Sequence, residues 1–99
     1  MRLTNHEVDT IKFTARRMFG EGVRVWLFGS RTDDSRRGGD VDLYLETEVP
    51  MENRVEAAAR FAAELQMQLG EQKIDVLLVD PETPRRPIHD MALKTGIRL

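Results

Sequence analysis

The apolar positions of the chain follow two spacings, one typical of helices and one typical of strands. After the capping-box sequence TNHE, apolar residues recur at intervals of three and four up to Phe19, and glycines follow, which predicts a first helix. The same spacing predicts a second helix from about Met51 to Leu69, ended by Gly70. After the proline-rich turn PETPRRP, the segment IHDMALKTG predicts a last short helix that stops at Gly96.

Three other segments are rich in β-branched and aromatic residues and are predicted to be strands: Val23–Phe28, Asp40–Glu46 and Lys73–Asp80. The loop between the first two is too short for a helical crossover, so these strands are expected to be antiparallel neighbours. The long helix before the third strand allows a crossover. The element order is therefore α-β-β-α-β-α.

This order predicts one domain over residues 1–99, of the α/β class and α+β type. We expect a small mixed β-sheet with the helices packed on one face. The opposite face would then be open unless something covers it.

Composition and charge exclude several kinds of protein. The 99 residues carry a formal net charge of −2, so charge gives no argument for nucleic-acid or membrane binding. There is no cysteine, which excludes disulfides and thiolate metal sites. The chain also lacks a signal-peptide core and an apolar run of the ~18 residues that a membrane span needs, so a cytoplasmic protein is expected. His6 and His89 form no motif and are expected on the surface.

Three aspartates are placed where carboxylates can converge. Asp40 and Asp42 lie two residues apart on one face of the second predicted strand, about 6.6 Å from each other. Asp75, in the third predicted strand, can stand beside them if the two strands are neighbours. Three acids on one face repel each other unless a cation is bound, and Mg²⁺ prefers such oxygen ligands together with substrate phosphates. The alternative is an ordinary solvated sheet face, although aspartate is a poor strand former.

A Gly-Ser pair precedes these acids and offers a place for phosphate. Gly29 lets the backbone approach a ligand closely, Ser30 can open a helical turn whose N–H groups bind phosphate, and Arg31 can clamp it. The alternative is that Ser30 and Asp33 form a plain capping box. Together with the acids, the pair supplies the second half of a nucleoside-triphosphate site.

Three segments in order, FGSR, then DVDL after eight residues, and much later IDVLLVD, together resemble the signature of the DNA polymerase β-like nucleotidyltransferase superfamily. The likeness covers nearly the whole chain and is greatest to the minimal nucleotidyltransferases, the MntA-type antitoxin partners of HEPN toxins. It implies a polymerase β-like core in which Gly29, Ser30 and Arg31 hold the triphosphate. Asp40, Asp42 and Asp75 would be the catalytic carboxylates and would bind Mg²⁺, with two ions expected.

The resemblance further implies transfer of AMP from ATP to a hydroxyl, that of a tyrosine, on a HEPN-domain toxin, and hence a hetero-oligomer without direct nucleic-acid binding. The loop over residues 31–39 departs from the family pattern, because it reads RTDD where Arg-Ala-Arg-Gly is common. This departure keeps a second hypothesis open: a non-catalytic antitoxin that neutralises its HEPN partner by forming a complex.

Overall fold

A computed structural model of the chain describes residues 3–29, 41–70 and 72–99. Within these ranges the helices and strands follow in this order: α1 (Asn5–Phe19), β1 (Arg24–Phe28), β2 (Val41–Glu46), α2 (Arg54–Leu69), β3 (Ile74–Val79), α3 (Pro87–Thr95) and β4 (Ile97–Arg98). The predicted order is thus reproduced and gains one short strand at its end. That strand has two residues, too few to show a period in the sequence.

The four strands form one mixed sheet in the order β3-β2-β1-β4. β1 is antiparallel to both β2 and β4, as predicted for the first pair, and β2 is parallel to β3. α2 makes the crossover that a parallel pair requires. β3 and β4 are consequently the two edges of the sheet.

The main core lies between the sheet and the helices α1 and α2. Alternate strand residues, among them Leu27, Leu43 and Leu45, are fully buried against Ile11 of α1 and against Phe61 and Leu65 of α2. The rings of Phe19 and Phe61 meet with centroids 5.6 Å apart, which joins the two helices. This face of the sheet is the apolar face that the alternation in β2 predicts.

The α+β class and the small mixed sheet are confirmed, but the expectation that all helices pack on one face is wrong for α3. Ala92 of α3 packs with Tyr44 and Val79 on the face opposite α1 and α2. That face also carries Trp26 and Leu77, and α3 removes this apolar surface from water. His89, expected on the surface, belongs to α3 and is only 4% exposed, so this expectation is wrong.

The helix starts follow side-chain caps. In α1, the N–H of Glu7 donates to the Thr4 hydroxyl and the N–H of Thr4 donates to the Glu7 carboxylate, at 3.0 and 2.9 Å, so the predicted capping box is confirmed. α2 starts at Arg54 rather than at Met51, because the Asn53 side chain accepts the N–H of Glu56 at 3.1 Å. Among the described residues, none of the helices combines the length and apolar character needed to cross a bilayer.

Candidate active site

One row of side chains crosses the sheet on the α3 face, where β1 ends and β2 and β3 begin. Phe28 pairs with Asp42, and Asp42 pairs with Asp75. Directly paired residues point to the same face, and neighbouring strands lie about 4.8 Å apart. We call Phe28, Asp42 and Asp75 the acid row. The sheet therefore brings two of the three predicted carboxylates side by side.

Gly29 directly follows Phe28 of the acid row, and the Asp42 side chain of that row restricts which residue fits at this position. Its φ of +80° lies in the left-handed region, which favours glycine. A Cβ at this position would collide with the carboxylate of Asp42 and would lie 3.2 Å from its Cγ. The Asp42 side chain therefore leaves no room for a side chain at position 29, and the approach of a phosphate to Gly29 stays a prediction.

The two carboxylates have different surroundings. Asp42 is half-buried, whereas the Asp75 side chain is 52% exposed and lies 4.0 Å from the Lys73 ammonium group. Two carboxylates on adjacent strands repel each other, and a bound cation relieves that repulsion. Hard oxygen donors of this kind suit Mg²⁺, so the residues present fit the ion.

The other predicted site residues lie outside the described residues: Ser30, Arg31, Asp40 and the loop over residues 31–39. Over residues 3–29, 41–70 and 72–99, no three acidic or histidine side chains form a group that could hold a metal ion. Asp42 and Asp75 supply two donors, and Asp40 stays the predicted third.

Behind the acid row, a polar network joins the sheet to α3. The fully buried Tyr44 donates its hydroxyl to the Glu46 carboxylate at 3.0 Å, and Arg24 donates to the same carboxylate at 3.2 Å. Burial and the neighbouring Glu46 raise the pKa of Tyr44 to about 12, so the hydroxyl stays protonated. Arg85 extends the network, 4.0 Å from Glu46 and 2.7 Å from Asp90.

His89 of α3 packs between this network and the body of the helix. Its Nδ1 accepts the N–H of Arg86 at 3.2 Å, and its ring centroid lies 6.1 Å from that of Tyr44. Burial and the charges of Arg85 and Arg86 lower its pKa. His89 is therefore a neutral packing residue. Sequence reasoning missed this network; the one available signal was Tyr44, two residues beyond Asp42 and hence on its face.

Comparison with known proteins shows which solved structures share this fold. No protein-family model matches the chain, and no curated protein matches it. Solved structures do match. A chain of the tri-AMPylated Shewanella oneidensis HEPN toxin in complex with MNT antitoxin is 20% identical, with a TM-score of 0.68 over 97% of this chain and 71% of that one.

Two further toxin–antitoxin structures give the same result. A chain of the complex with AMP-PNP is 20% identical, with a TM-score of 0.65 over 97% of this chain and 72% of that one. A chain of an MntA-HpeT mutant is 18% identical, with a TM-score of 0.64 over 97% and 71%. This chain therefore has the fold found in these complexes, and the polymerase β-like core that its motifs indicated is confirmed as a fold.

Proposed function

We propose that this chain is a minimal nucleotidyltransferase that transfers AMP from ATP to a tyrosine hydroxyl of a HEPN toxin and so acts as its antitoxin. The acid row carries the proposal. In a fold shared with MNT–HEPN complexes, the register pairs Asp42 with Asp75, and glycine is required directly beside Asp42. Of the six residues that the resemblance assigns to phosphate and metal, the three that the structure describes, Gly29, Asp42 and Asp75, thus lie at one end of the sheet.

The residues divide into two groups by their chemistry. Gly29, Ser30 and Arg31 are assigned to the triphosphate, and Asp40, Asp42 and Asp75 are assigned to Mg²⁺. When bound, the ion supplies positive charge against the phosphates and orients them for in-line displacement. Asp42, which is paired with Phe28 and Asp75 and lies close to Gly29, would hold the ion at this end of the sheet.

The proposed transfer is an in-line displacement at the α-phosphorus of ATP. The acceptor hydroxyl oxygen forms a bond to the α-phosphorus of ATP, the bond from that phosphorus to the oxygen bridging to the β-phosphate breaks, and pyrophosphate leaves. Asp75 accepts the hydroxyl proton. It suits that role because half of its side chain is exposed and an acceptor can reach it from solvent.

Two matched variants test the site: Asp42→Asn and, as a control, Asp9→Asn, since Asp9 is exposed on α1 on the other side of the sheet. The chain is incubated with α-labelled ATP, Mg²⁺ and the HEPN toxin, and label on the toxin is counted. We expect Asp42→Asn, or removal of Mg²⁺ by a chelator, to reduce labelling at least about 100-fold. Asp9→Asn should label as the wild type does.

Absence of label with the wild-type chain would contradict the enzymatic proposal, and undiminished label with Asp42→Asn would contradict the site. Neutralisation of the toxin in growing cells separates the remaining hypothesis. A non-catalytic antitoxin would still protect cells when Asp42 is replaced, because occlusion of the toxin does not require the carboxylate.

A further inference from the structure

The free edge of β3 is a second feature of the site, because the strand carries Asp75 near its start. No strand of the described residues lies beyond β3. The N–H of Val41 donates to the carbonyl of Lys73, and the N–H of Thr47 donates to that of Val79. Odd-numbered residues of β3 therefore turn their backbone groups towards β2. By alternation, the N–H and C=O groups of Ile74, Val76 and Leu78 point out of the sheet.

A groove of about 350 Å³ runs along this edge, between β3 and α2. We call it the edge groove. Its floor is apolar, with small residues from the helix and larger ones from the strand: Ala58, Ala59, Ala62, Val76, Leu77 and Leu78. Asp75, the acid-row residue of β3, lines one end, and Arg54 lines the other. The groove thus shares Asp75 with the candidate active site.

The stretch Val76–Val79 of this edge lacks the features that prevent strand addition. Proteins protect such edges with proline, bulges or inward charges, whereas the four residues Val76–Val79 are all apolar. Outward N–H and C=O groups at every second residue match the repeat of an extended peptide backbone. A nucleotide has no such repeat, and its proposed place at Gly29 and Asp42 lies on the α3 face.

We propose that the protein acceptor docks by adding an extended, largely apolar segment to the β3 edge, which brings its hydroxyl residue to Asp75. This inference rests on the proposed function, since it names how that site receives its substrate. The segment pairs with the outward groups of Ile74, Val76 and Leu78 and places apolar side chains over the alanines of α2. Its far end carries an acidic group towards Arg54.

Backbone amide hydrogen exchange of the chain, alone and with the HEPN toxin, tests the docking directly. We expect the amides of Ile74, Val76 and Leu78 to exchange fast alone and to become protected in the complex. The amides of Leu77 and Val79, which face β2, should be protected in both states and serve as an internal control. Unchanged exchange at the outward amides in a formed complex would overturn the inference. Their protection without toxin, with light scattering showing a dimer, would assign the edge to a second copy instead.

Two variants test the consequence for transfer. Ala59→Arg fills the edge groove, and its matched control Ala63→Arg places the same side chain on an exposed part of α2 outside the groove. Val76→Pro removes an outward N–H without removing a bond to β2, and circular dichroism checks that it folds. We expect Ala59→Arg and Val76→Pro to lower kcat/KM for the toxin about tenfold or more, with Mg²⁺-dependent ATP-analogue binding unchanged.

Different results would contradict AMP transfer and edge docking. If the wild-type chain transfers AMP and Ala59→Arg transfers it equally well, edge docking is overturned while the proposed function stands. If the wild-type chain transfers no AMP but the toxin still protects the outward amides of β3, the proposed function fails and edge docking stands.

Discussion

The two faces of the sheet differ in chemistry although they share the same strands. The face towards α1 and α2 is apolar and closely packed. The face towards α3 mixes apolar side chains with charges in three rows: Phe28–Asp42–Asp75, Trp26–Tyr44–Leu77 and Arg24–Glu46–Val79. Because successive residues of a strand point to opposite faces, one strand such as β2 can stabilise the fold with every second residue and carry chemistry with the others. Substitutions on the two faces should therefore have separable effects.

The largest effect on stability is expected from Phe61→Ala on the α1/α2 side. Phe61 is fully buried against Phe19, and its removal leaves a cavity that costs about 3–5 kcal/mol. Phe13→Ala is the matched control, because Phe13 is 64% exposed and should change stability by no more than about 0.5 kcal/mol. Urea unfolding measures both. Equal losses from the two variants would contradict the placement of the core.

Gly29→Ala should affect both stability and activity, whereas Gly20→Ala should affect stability alone. Both glycines have positive φ, +80° and +95°, so an alanine costs roughly 1–2 kcal/mol of strain at either position. Only at Gly29 does the new Cβ displace the Asp42 carboxylate; nothing lies within 4 Å at Gly20. AMP transfer at matched folded fraction should fall sharply for Gly29→Ala only. Equal activity of the two variants would contradict the role of this contact.

Tyr44→Phe tests the polar network on the α3 side and is expected to cost about 1 kcal/mol, the contribution of one hydrogen bond. The phenol hydroxyl is replaced while the ring stays in place against Trp26, 5.5 Å away. A double-mutant cycle with Glu46→Gln isolates the pair. Zero coupling energy would show that the hydrogen bond between Tyr44 and Glu46 does not stabilise the fold.

The smallest effect is a pH dependence from His89. Its pKa is lowered in the folded state from the ordinary value of 6.5, so the unfolded chain binds more protons below that pH. Stability is then full above about pH 6.5 and falls as pH decreases towards the folded-state pKa. The free energy of unfolding, measured from about pH 8 to about pH 5, should show a step. His89→Gln should remove this step, whereas His6→Gln, at an exposed position, should retain it. A step that persists in His89→Gln would assign the dependence to another group.

Local signals in the sequence determined much of the fold. The Thr4–Glu7 capping box started α1, Gly70 ended α2, and the alternation of Val41, Leu43 and Leu45 identified the core face of β2. These features depend on neighbours a few residues apart, which a sequence displays directly. The residue types of the candidate site were visible for the same reason, since a Gly-Ser pair and aspartates within strands are unusual locally.

Only the tertiary structure decided which of those residues meet. Whether Asp75 stands beside Asp42 depends on the strand order and on the register of a parallel pair, and a shift of one residue would send Asp75 to the other face. The collision of a Cβ at Gly29 with Asp42, the burial of His89 and the position of α3 opposite α1 and α2 depend likewise on contacts between distant segments. The free edge of β3 follows from strand order alone, which no local spacing encodes. The sequence by itself thus determined the elements and their chemistry, whereas packing decided the site, because register and face are properties of pairs of segments.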